Sequence, residues 1–122
     1  MEYRRFGSMI IARLDKGEEI LEQLKAISLA EQIKLAHVSA LGALDEFTAG
    51  VFDTGTKQFF PNTFHGAYEI VSLTGTVTTM DGAYYSHLHM SAGDREGRVF
   101  GGHLSRARIL SLIHISEPTR PY

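Results

Sequence analysis

His87 and His89 stand two residues apart in the stretch Tyr84-Tyr85-Ser86-His87-Leu88-His89-Met90-Ser91. Side chains alternate across a strand, so a strand here turns both imidazoles to one side and Leu88 and Met90 to the other. A third imidazole is available from Gly101-Gly102-His103-Leu104 if the chain doubles back through Gly93–Gly97. Folding about Arg95 sets His103 opposite His87, and Gly101 opposite His89 with open space beside it. Directly opposed residues share a face, with Cβ atoms ~4.5–5.5 Å apart. Three neutral imidazoles around an open position suit zinc, or another divalent metal that accepts nitrogen, so His87, His89 and His103 are candidate metal ligands. The competing reading is a set of imidazoles hydrogen-bonded to each other, to Tyr85 or to backbone at a subunit contact. The register decides between convergence and dispersal, because a slip of one residue turns His103 to the opposite face.

The remaining chemistry is sparse. Glu69 precedes an apolar strand run and is a candidate general acid/base if the protein is an enzyme, although a carboxylate at a strand end is more often simply solvated. His37 and His65 have no partner at a regular spacing and read as structural or surface residues. The chain has no cysteine, which excludes disulfides and thiolate ligands. Neither a Walker-type nor a G-x-G-x-x-G stretch occurs, so nucleotide binding has no support, and no nucleophile elbow is present. The net charge is −2, whereas a domain that grips a phosphate backbone unaided carries a clustered basic excess. The basic residues concentrate only at Arg4-Arg5 and at Arg95, Arg98, Arg106 and Arg108.

The elements that must position the histidines follow from hydropathy patterning. Residues 2–14 suit a first strand ending at Asp15-Lys16-Gly17. Asp15 and Glu18 resemble a capping pair for a helix whose apolar face is Ile20, Leu24 and Ile27, with Leu21 beside it. Ser28 and Glu31 repeat that pattern, which predicts a second short helix carrying Leu29, Ile33 and Leu35. His37 to Asp53 is strand material, Lys57 to Phe60 suits a short strand, and Pro61-Asn62 is a turn signal. Tyr68–Thr79, Ala83–Ser91 and Arg98–Leu104 are β-rich runs joined by short polar loops, a pattern of consecutive hairpins. The expected fold class is α+β: a mixed, largely antiparallel sheet with a C-terminal meander and one or two helices packed on one face.

With 122 residues, 43% of them hydrophobic and 21% charged, the chain suits one globular domain. No apolar run approaches the ~18 residues of a membrane span and the amino terminus is unlike a signal peptide, so a cytoplasmic protein without membrane contact is expected. The end of the chain, Leu110-Ser111-Leu112-Ile113-His114-Ile115-Ser116-Glu117-Pro118-Thr119-Arg120, resembles the in-frame translation of a transposase-type sequencing adapter. On that reading residues 1–109 form the domain, residues 110–122 are a non-native tail, and His114 has no functional role. The alternating apolar residues of the segment also permit an ordinary terminal strand.

Tyr68-Glu69-Ile70-Val71-Ser72-Leu73-Thr74-Gly75-Thr76-Val77, then His87-Leu88-His89, then Gly101-Gly102-His103-Leu104, resemble in that order the plants-and-prokaryotes-conserved (PPC) domain family. The likeness extends to the early helix and to Val38-Ser39-Ala40-Leu41-Gly42-Ala43. It implies an α+β domain assembling as a homotrimer, with Glu69, His87, His89 and His103 in a shared, metal-loaded pocket. Plant members accompany AT-hook segments that bind DNA. This chain lacks any Arg-Gly-Arg-Pro core, so DNA binding by it alone should be weak. The family pattern continues beyond Gly-Gly-His-Leu with one or two further strands; if the tail has replaced them, an uncovered sheet edge is expected. The fold grouping also resembles acetolactate decarboxylase, where a His-x-His and a later His hold zinc. The leading expectation is a non-enzymatic, trimer-forming module for binding or regulation; the alternatives are a metal-dependent enzyme acting on a small carbonyl or carboxylate, and a purely structural assembly unit.

Overall fold

The computed structural model describes residues 1–110 and the backbone of a strand at 113–118. In chain order the elements are β1 (Glu2–Phe6), β2 (Met9–Leu14), α1 (Ile20–Ala30), β3 (Ala36–Leu41), β4 (Ala43–Asp53), β5 (Gln58–Met80), β6 (Ala83–Gly93), β7 (Val99–Ile109) and β8 (Ile113–Pro118). They form one sheet in the order β1-β2-β8-β3-β5-β4-β7-β6, and β5 also pairs with β6. The last pairing closes β5, β4, β7 and β6 on themselves. Every strand pair among the described residues is antiparallel, so the expected mixed sheet is corrected to an antiparallel one.

Closure depends on the 23 residues of β5. Its first half pairs with β4, and its second half runs between β3 and β6. A bulge between Ile70 and Ser72 changes which alternate positions face inward: Ile70 is buried before it, Leu73 and Val77 after it. Pro61, expected to turn the chain, instead lies within β5 opposite Gly50. Among the described residues this part of β5 has a partner only on its β4 side, so a residue without an N–H is tolerated there.

The meander is as expected. β5 and β6 are joined by Asp81-Gly82, with φ of 53° and 80°, as a two-residue turn of type I′ requires. β6 and β7 are joined by the loop Asp94–Arg98, with Gly93 opposite Val99. The amino-terminal segment, by contrast, is a hairpin and not a single strand, because Gly7 at φ 61° reverses the chain between β1 and β2.

One helix is present among the described residues, and it lies where Ile20, Leu24 and Ile27 were expected to face the core. The predicted second helix does not form. Ser28 is a buried residue of α1 itself, and the helix ends when Gln32 takes φ 55°. Ile33 N–H then donates to Ser28 O at 2.8 Å and Gln32 N–H to Leu29 O at 3.4 Å, the pair of bonds that closes a Schellman end. At the other end Glu18 fulfils its expected reciprocal bond to Asp15 N–H at 2.7 Å. The N-cap, however, is Glu19, only 7% exposed. Its carboxylate accepts from Leu21 N at 3.0 Å, Glu22 N at 2.9 Å and Ala107 N at 2.9 Å. One buried carboxylate thus caps α1 and ties it to β7.

β8 lies between β2 and β3, with Ile10 opposite Glu117, Ala12 opposite Ile115, and Ala40 opposite Ile115 on the other side. The expected uncovered edge is therefore filled by part of the predicted tail; residues 111–112 and 119–122 of that tail lie outside the described residues.

Candidate metal centre

The three histidines converge. His87, His89 and His103 each offer a ring nitrogen, and these atoms all lie within 4.8 Å of one another. Ring centroids are 5.0 Å apart for His87–His89, 5.2 Å for His87–His103 and 5.6 Å for His89–His103. The register that achieves this differs from the expected one. His103 stands opposite His89, and Gly101 opposite Ser91. The loop is responsible: Asp94 accepts from the backbone N–H of Glu96 at 2.9 Å and of Arg98 at 3.0 Å, which centres the reversal on Glu96 instead of Arg95. The displacement is an even number of positions, so the faces are preserved.

Gly101 does not open space beside His89. A Cβ there would collide with the Met90 carbonyl oxygen and sit 2.8 Å from Ser91 Cα, so its absence lets β7 lie close on β6. Gly102 makes a comparable approach to β4, where a Cβ would lie 3.1 Å from two backbone atoms of Gly50. Gly50 is in turn the β4 partner of His103. These glycines press β6, β7 and β4 together around the third histidine.

On the β5 side, Thr74 stands opposite His89 and Thr76 opposite His87. Phe59, which nothing in the sequence spacing singled out, packs edge-on to His103 at 5.7 Å between centroids. His87 and His89 are exposed and His103 is half-buried. Burial, reinforced by the neighbouring imidazoles of His87 and His89, holds the His103 pKa below the ordinary imidazole value. A neutral His103 keeps a lone pair for a metal. His87 Nε2 and His89 Nε2 stand at hydrogen-bond distance, 3.0 Å. Ligands of a tetrahedral zinc at 2.0–2.1 Å would be separated by roughly 3.3 Å, so this pair is already close to coordination spacing and the donor set fits a divalent ion.

Other candidates fall elsewhere. Glu69 is exposed and opposite Gly93, four residues along β6 from His89, or roughly 13 Å at the rise of a strand. The structure does not bring it to the imidazoles within one chain. His37 lies opposite Thr76, and His65 opposite Glu46. Of the arginines, Arg98 pairs with Asp94 at 2.8 Å and Glu96 at 2.9 Å, and Arg108 with Asp45 at 2.8 Å. Arg5 pairs with Glu31 at 3.4 Å, and Arg106 with Glu46 at 3.9 Å. Their charge is largely matched within the chain. No helix among the described residues is long and apolar enough to cross a membrane.

An antiparallel sheet closed on itself, with one helix and an outward three-histidine face, defines the class. The chain belongs to the Plants and Prokaryotes Conserved (PCC, or PPC) domain family, whose model matches residues 1–115. Among solved structures it resembles a proposed DNA-binding protein from Bacteroides thetaiotaomicron, at 26% identity and TM-score 0.95, covering 99% of this chain and 85% of that one. A PPC protein from Pyrococcus horikoshii is 30% identical, with TM-score 0.86 and coverage of 99% and 82%. A metal-containing protein from Archaeoglobus fulgidus is also 30% identical, with TM-score 0.84 and coverage of 97% and 83%. The likeness to acetolactate decarboxylase from Bacillus subtilis, 14% identical with TM-score 0.66 over 91% of this chain and 52% of that one, is one of fold alone. No curated protein matches the sequence.

Proposed function

We propose that this protein is a metal-binding, homotrimeric PPC module that serves in binding or regulation, with His87, His89 and His103 holding one divalent ion, zinc among the candidates. The observation that carries the reading is the convergence of three imidazoles from two adjacent strands on one outward face. The metal-containing Archaeoglobus relative supports it. Assembly is supported by the β4–β5 hairpin, where Val51, Phe52 and Phe60 are 65%, 51% and 51% exposed. Val51 lies opposite Phe60 and Phe52 opposite Phe59, so apolar side chains occupy both faces of the hairpin, as suits insertion between other copies. DNA association, suggested by the descriptions of relatives, would come through partners or the summed surface of the assembly, since this chain is net acidic and its arginines are largely paired.

Elemental analysis combined with native mass measurement tests the proposal. About one divalent ion per chain in a three-chain assembly is the expected result, and metal-free protein purified without chelators would overturn the metal site. A second reading, a metal-dependent enzyme acting on a small carbonyl or carboxylate, is favoured by the open depression beside His89. In it the ion would polarise an oxygen of the substrate or activate a water. Glu69 would serve as acid/base only if assembly delivered it to the site from another copy.

A further inference from the structure

Beside His89 the sheet surface is hollowed into an open depression of about 210 Å³ lined by Ser72, Thr74, His89, Met90, Ser91 and Gly102. Ser72 is opposite Ser91 and Thr74 opposite His89, so three hydroxyls and an imidazole share one face. None of those hydroxyls is engaged by another described residue, and no charged side chain lines the hollow. The imidazole cluster likewise contains no carboxylate. A divalent ion held there by neutral ligands would keep its full charge and favour an anionic fourth ligand.

Charge narrows the class. The hollow is open and smaller than the about 300–1,000 Å³ of pockets for drug-sized ligands, which suits a small ligand. Phosphate is normally met by arginine, lysine or a helix N-terminus, and none is among the lining residues. A carboxylate needs less: one oxygen to meet the cation and hydroxyl donors for the other.

We infer that the depression binds a small carboxylate beside the ion proposed for the three histidines, held by hydrogen bonds from Ser72, Thr74 and Ser91. The inference rests on the metal reading above. Cobalt(II) bound to the full chain provides the test, because its visible bands report both occupancy and a change of fourth ligand. Lactate should shift the bands saturably while inorganic phosphate at the same concentrations leaves them in place. Ser72 and Thr74 are exposed, so the double variant Ser72→Ala/Thr74→Val should fold and bind cobalt normally, yet weaken lactate about tenfold, the loss expected for one or two hydrogen bonds. Cobalt bands unmoved by lactate, equal lactate affinity in the variant, or saturation by phosphate with lactate inert would each overturn the inference with the metal site intact. A chain that shows no cobalt bands would instead overturn the metal site, and the carboxylate with it.

Discussion

His103 is the most withdrawn of the three imidazoles, and its proton affinity is lowered first by burial and then by its two neighbours. Its folded pKa lies below the unfolded value of 6.5, so below about pH 6.5 the unfolded chain takes up more protons than the folded one. The contribution of His103 to stability is therefore present above that pH and lost as pH falls through the folded pKa. Urea titrations of metal-free protein should show stability falling across this interval, with a smaller fall in His103→Gln. Bound metal should be released as the pH falls, because protons compete for the same lone pairs. His89→Ala, which removes one of the three proposed ligands, should cost metal affinity more than about a hundredfold, beyond the loss usual for an outer hydrogen-bond partner. Inductively coupled plasma analysis of dialysed protein reads both effects. The residue types and the strand alternation of His87 and His89 were legible in the sequence; the roles of Gly101 and Phe59 were not, because contact with a neighbouring strand leaves no periodic mark in the sequence of its own.

At the scale of elements, the join between α1 and β7 is the feature that the sequence concealed. Asp15 and Glu18 presented a recognisable capping pattern, whereas nothing in the local sequence singles out Glu19, whose carboxylate meets Ala107 N–H only because β7 packs against the helix start. Glu19→Ala would leave that buried donor unmet and remove two bonds from the helix start, at an expected cost of about 2–4 kcal/mol. Glu19→Gln, which keeps an acceptor, should cost less; chemical denaturation distinguishes them. Gly75 is the corresponding weak point beside the histidine cluster. A Cβ there would collide with His87 O and sit 2.7 Å from Leu88 Cα, so Gly75→Ala must push β5 away from the strand that carries His87 and His89. We expect a loss of about 1–3 kcal/mol together with weaker metal binding, whereas a purely local effect would leave metal affinity unchanged.

For the whole molecule, the exposed apolar hairpin and the position of β8 lead to separate expectations. Phe60→Asp should shift native mass from the proposed trimer toward single chains while leaving each sheet folded, as far-UV circular dichroism would show. Ending the chain at Ile109 removes the strand that bridges β2 and β3. The shortened protein should unfold at lower temperature and aggregate more readily through its bared edges, yet its histidine cluster, built wholly from β6 and β7, should still bind metal.

The sequence by itself determined the alternation that puts His87 and His89 on one face, the Asp81-Gly82 turn, the apolar stripe of α1 and the meander of β5, β6 and β7, because these depend on interactions between residues close along the chain. Only the tertiary structure decided that β5 continues through Pro61 to close the sheet, and that Glu19 caps a helix against a distant strand. Those outcomes depend on which backbone groups find partners across the sheet, and a partner many residues away is chosen by packing of the whole chain.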